Sequence, residues 1–287
     1  EKFLVPPFFK KVGRRRQVGI PGTYRMNIKK INFFRNYFKE YVSGFYGEDS
    51  YVDKNVKIKE GHSLRVAKHI VDICESLGLK EADIHLAEAI ALFHDIGRFE
   101  QLKRYQTLND KTSRDHAELG VEVIERKNML ASLEPGEQEI IKKAVAYHNR
   151  IELPGGASDR VIFFSKLLRD ADKLDILEVL TNYYAAPDYG SNPALELDLP
   201  QAKELSKKVV EELLDNKPVD VKNLKSPGDF KILQLSWVFD LNFAYSLAYV
   251  KERRFIEKIA ATFNPERTPE IEQVHRHVRN YLNSRLS

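Results

Sequence analysis

Cysteine is nearly absent from this chain, with one in 287 residues, alongside a single tryptophan and two methionines. A lone Cys74 excludes an internal disulfide framework and a thiolate metal cluster, and such sparing use fits a reducing, cytoplasmic compartment. No apolar run approaches the roughly 18 residues that a membrane-spanning helix needs. The stretch from Phe3 to Phe9 is too short, and too broken by Pro6 and Pro7, for a signal-peptide core. No sustained apolar–polar alternation marks a sheet, and no internal repeat is visible.

A strong charge on the body of the protein is lacking as well. The formal net charge of +4 comes from 46 basic and 42 acidic residues. Residues 1–25 hold seven of the basic ones (Lys2, Lys10, Lys11, Arg14, Arg15, Arg16, Arg25) against Glu1, leaving 39 basic and 41 acidic over the other 262 residues. A near-neutral body is not a nucleic-acid footprint. Met26-Asn27-Ile28 reads as a native start, so residues 1–26 are expected to be a basic, disordered extension.

What is present is helix after helix. Apolar residues recur at helical spacing over Ile31–Tyr46, 62–77 (closed by Gly78) and 83–96 (closed by Gly97). Thr112 or Ser113 suits the N-cap of a helix running to about Asn128. Pro135 opens a helix ending near His148-Asn149, and 159–182 forms a long apolar one. Residues 185–200 read as a loop; 201–215, 229–262 and 269–286 are helical in period. The expected architecture is all-α, with residues 27–184 as one helical domain and 185–287 as further helices packed on the same core.

The chemistry concentrates between residues 60 and 176. His94-Asp95 ends an apolar helix pattern, Ala89 to Gly97. Burying either group costs several kcal/mol unless it is paired or bound to a metal. Further candidates lie on other helices or helix ends: His62, His116, His148 and an aspartate at 170 or 172. Asp170 and Asp172 stand about 200° apart on one helix, so they cannot both face one ion. Imidazole nitrogens with carboxylate oxygens suit a divalent Mn, Fe, Ni, Co, Zn or Mg ion.

His62, then His94-Asp95, then Asp172 resembles the H…HD…D signature of the HD-domain metal-dependent phosphohydrolases. The words "GHSLRVA", "ALFHDIGRFEQ", "DHAELG", "AYHN" and "RDADKLD" fit around it, over about residues 58–180. The resemblance implies an all-α HD helical bundle with His62, His94, Asp95 and Asp172 as metal ligands. It also favours Asp172 over Asp170, leaving Asp170 and Asp175 as supporting or capping groups. It implies one ion or two, His116 and His148 holding the second or contacting phosphate. Asn149 stands where two-metal phosphodiesterases of the family often carry a second histidine.

The expected activity is hydrolysis of a phosphate ester, in a nucleotide or a related phosphorylated small molecule. Asp95 would hold or deprotonate the attacking water, while Arg98, Lys173 and Arg65 steady the phosphate. A catalytically silent nucleotide-binding regulator and an HD-fold di-iron oxygenase are the alternatives. Neither a membrane nor nucleic acid is an expected partner.

Overall fold

A computed structural model describes residues 26–47, 49–186, 199–200, 204–263 and 268–287. The regular structure among these residues is all helical, with no strand. The segment 1–25 and most of the loop read at 185–200 lie outside the described residues. Met26, placed with the extension above, is buried, and its amide donates to Glu137 Oε1 at 2.8 Å.

The first helix, α1 (Ile28–Ser43), is capped by the Asn27 side chain, which accepts from the amides of Lys29 and Lys30. It buries Ile31, Phe34, Phe38 and Val42 at three- and four-residue intervals, the stripe that a surface helix turns to its core. Phe34 meets Phe93 of α3 (Glu81–Phe93) edge to face, centroids 5.5 Å apart.

The second helix, α2, runs Ser50–Ser76, a full twelve residues earlier than the periodicity suggested. Asp49 caps it by accepting from Val52 N, and Val52, Asn55 and Val56 are buried in its first half. The charged Lys57, Lys59 and Glu60, followed by Gly61, hide that continuity in the sequence. His62 therefore stands mid-helix, where its ring is held on both sides, rather than at a fraying end.

Beyond Phe93 the chain turns over His94 and Asp95 and re-enters a helix at once, as α4 (Ile96–Tyr105). Gly97 thus sits inside a helix instead of closing one. A Cβ there would collide with the His116 carbonyl and the Gly120 amide, so only glycine lets α4 cross α5 (His116–Arg126) this closely. The N-cap of α5 is Asp115, which accepts from Ala117 N and Glu118 N. The expected caps, Thr112 and Ser113, instead donate to the Asn109 carbonyl, and Ser113 also accepts from Gln101. Two further helices complete the bundle: α6 (Pro135–Tyr147) and α7 (Asp159–Tyr184).

The C-terminal part comprises α8 (Lys207–Leu214), α9 (Pro227–Ser236), α10 (Ala244–Glu252), α11 (Phe255–Ala261) and α12 (Pro269–Leu286). The single helix expected over 229–262 is interrupted twice. A 3-10 turn over Trp237–Asp240 leads into extended Leu241, and Arg254 takes a left-handed conformation at φ 56°. The first break has a tertiary cause: buried Asp170 of α7 captures the amides of Asn242 (3.0 Å) and Phe243 (3.1 Å) and the Asn242 side chain (2.9 Å). Helices α10 and α11 pack on α7. No helix among the described residues is long and apolar enough to cross a membrane.

Candidate metal centre

Six side chains from separate parts of the bundle converge at its centre. His62 comes from α2, His94 and Asp95 from the junction of α3 and α4, and His116 from the first turn of α5. His148 comes from the end of α6 and Asp172 from α7. His94 and Asp95 are almost fully buried, at 1% and 2% exposure. Asp172 is the most open of the six, its side chain 17% exposed.

The donors form two groups. In the first, His62 Nε2 lies 3.1 Å from both His94 Nε2 and Asp172 Oδ1, and His94 Nε2 is 3.9 Å from Asp172 Oδ1. In the second, His116 Nε2 lies 3.0 Å from His148 Nε2, and Asp95 Oδ1 is 3.5 and 3.9 Å from those two nitrogens. Asp95 joins the groups, because its other oxygen, Oδ2, is 3.6 Å from His62 Nε2 and 3.7 Å from His94 Nε2. Ligand atoms about 2.1 Å from one ion stand about 3.0–3.4 Å from each other in octahedral or tetrahedral geometry, so the spacing suits a cation in each group.

Hydrogen bonds behind the rings fix which nitrogen faces inward. His62 Nδ1 meets Asp175 Oδ2 and His116 Nδ1 meets Asp110 Oδ2, both at 2.6 Å. The other two histidines follow their own helix ends: Nδ1 of His94 reaches Ala91 O and Nδ1 of His148 reaches Val145 O, both at 2.7 Å. Carbonyls and ionised carboxylates only accept, so each Nδ1 carries a proton, and a ring that gives up its Nε2 proton turns a lone pair inward there. Two inward lone pairs 3.0–3.1 Å apart repel unless a proton or a cation lies between them. The buttressed imidazole is also the usual form of a metal ligand.

Electrostatics follow from this packing. Burial opposes ionisation of Asp95, yet Lys59, His94, His116 and Arg98 outweigh it and hold the carboxyl well below the usual range. Burial likewise opposes charge on His62, but hydrogen bonds to Asp172 and Asp175 prevail and raise its pKa to about 9. His148 has no such partner; burial and the neighbouring His116 and His94 push it down to about 3.

The cationic residues singled out in the sequence fall in different places. Arg98 stands against the cluster, Nε 3.7 Å from Asp95 Oδ1, while its Nη1 is tied to Asp110 Oδ1 (2.7 Å) and Leu108 O (2.6 Å). Arg65 forks onto Asp175 at 2.5 and 3.1 Å, behind His62. Lys173 is not brought to the cluster: one step round the helix from Asp172, its ammonium pairs with Asp240 at 2.7 Å. Asn149 donates to Asp115 Oδ2 at 2.8 Å and so ties the end of α6 to the cap of α5.

Two residues escaped the sequence reading. Asp110 lies in a loop with no periodicity. Lys59 donates to Asp95 Oδ2 at 2.8 Å from the preceding turn of His62's helix. Its three-residue spacing from His62 was the available signal, had the helix been drawn from Ser50.

No curated protein and no solved structure matches the chain. The family model described as HD domain does match it, over residues 60–177, a span that contains all six converging side chains. Residues 60–177 are thus similar to the HD domain, an all-α module.

Proposed function

We propose that this protein hydrolyses a phosphate ester at a two-ion centre, with a nucleotide or a related phosphorylated small molecule as substrate. The observation that carries this reading is the paired donor groups sharing Asp95, one oxygen toward each. His62, His94 and Asp172 would hold one ion, His116 and His148 the other, with Asp95 between them. Divalent ions bound there would supply Lewis acidity, lowering the pKa of water toward neutrality and polarising a phosphoryl oxygen. The protein's own groups do the rest. Asp95 holds the attacking water and takes its proton, and Arg98 faces the negative charge of the transferred phosphoryl group. Asp172, on the open side, marks where substrate enters.

The test is a panel of chromogenic phosphomonoesters, phosphodiesters and nucleotides, run with Mn²⁺, Co²⁺ or Ni²⁺ beside Asp95→Ala. Metal-dependent phosphate or nucleoside release that vanishes in the variant supports the proposal. Stoichiometric oxygen consumption by the iron-loaded protein, without hydrolysis, would replace it with the oxygenase reading, which draws on the same paired groups. Bound ions with neither activity would leave the regulator.

A further inference from the structure

Lys59 Nζ sits 2.8 Å from Asp95 Oδ2. That is the oxygen which faces the first donor group, 3.6 Å from His62 Nε2 and 3.7 Å from His94 Nε2. A side-chain cation therefore already holds the lone pairs through which Asp95 would reach an ion in that group. The neighbouring cations differ in kind. Arg98 is tied to Asp110, Gln101 and the Leu108 carbonyl, and Arg65 to Asp175. Lys59 has a flexible four-carbon stem and a side chain 19% exposed, so its ammonium has solvent to withdraw into.

We propose that Lys59 is the resident counter-ion of the site, and that it competes with the divalent ion for Asp95. A carboxylate as buried as Asp95 is strongly destabilising without a partner, and Lys59 meets that need in the metal-free protein. An ammonium and a divalent cation on one oxygen repel each other, so loading the ion drives the lysine off. Lys59 thereby lowers the affinity of the first group and sets the free-metal level at which it fills. This rests on the metal-binding reading above and adds a determinant of affinity to it.

The experiment is calorimetric titration of Mn²⁺ into the full chain stripped by chelator, comparing wild type, Lys59→Met and Lys59→Arg. The expected result is that Lys59→Met binds its tighter ion about five-fold or more strongly, the lower end of ordinary coupling between two ligands of one site. Lys59→Arg, which keeps the charge, stays near wild type. Melting curves give a second readout: metal-free Lys59→Met melts below wild type, and saturating Mn²⁺ closes the gap. Equal or weaker binding by Lys59→Met, with wild type binding normally, overturns the inference alone. Failure of every variant, wild type included, to bind Mn²⁺ overturns the metal reading as well.

Discussion

Arg169 of α7 donates to the main-chain carbonyl of His148 at 3.3 Å, holding the end of α6 from which that imidazole enters the candidate metal centre. The same guanidinium bonds the carbonyls of Arg150 and Ile151 and pairs with Asp240 at 2.5 Å. A buried cation here satisfies carbonyls that the last turn of a helix leaves open. It also ties the C-terminal part to the helix that carries Asp172. Arg169→Ala leaves the carbonyls unpaired and Asp240 with Lys173 alone, and is expected to cost about 1–3 kcal/mol, the penalty for buried polar groups left without a partner. Urea denaturation checks this, and a loss below 1 kcal/mol would show that the contact is dispensable.

Substitution at Gly97 should act on His116 through the backbone. The added methyl of Gly97→Ala meets the His116 carbonyl and the Gly120 amide, neither of which is a flexible side-chain end. Helix α5 must shift to make room, at a cost of about 1–3 kcal/mol for overpacking. Because His116 opens α5, the weaker of two bound ions should be lost before the fold is. Metal content by mass spectrometry, set beside a melting curve, separates the two effects.

Ion stoichiometry should follow the donor groups. Two groups predict two ions per chain in the wild type. His148→Ala removes a donor from one group only and is expected to leave one ion, whereas Asp95→Ala touches both and should leave neither tightly held. A wild type that saturates at one ion would assign His116 and His148 to phosphate contact instead.

Metal uptake should strengthen as pH rises. His62 carries a proton up to about pH 9 in the metal-free protein, and an ion must displace it. Between pH 6.5 and 8.5 the affinity of the first group should climb about ten-fold per pH unit, with about one proton released per ion. The sign for the metal-free fold is opposite. A histidine whose pKa is raised from 6.5 to about 9 lends its full stability below 6.5, and that stability is lost as pH rises through 9. Asp175→Asn removes one of the partners that raise it and should flatten both trends. Titration in buffers of different ionisation enthalpy measures the proton count directly.

The all-α class and the words around each His and Asp were legible because helical period and buried polar residues are local signals. Asp170 and Asp172 illustrate the boundary. Their angular separation shows that they face different neighbours, and the structure gives Asp172 to His62 and Asp170 to the amides of Asn242 and Phe243. That second capture also ends a helix at a place where the sequence has no glycine or proline to announce it. Lys59 and Asp110 were hidden for a related reason, since each acquires its role only from a partner at least six residues away. Period reading carries no term for such partners.

The six converging side chains are contributed by four helices and one interhelical junction. An unfolded chain scatters these donors over more than a hundred residues and offers no comparable grip on an ion. A divalent ion held there would therefore act as a tether among helices otherwise joined by loops and the apolar core. Its free concentration sets how much of the protein stays assembled, by mass action on the folded state alone. In a metal-poor setting the same feature would make the stability of the bundle, and not the chemistry only, depend on the supply of ions.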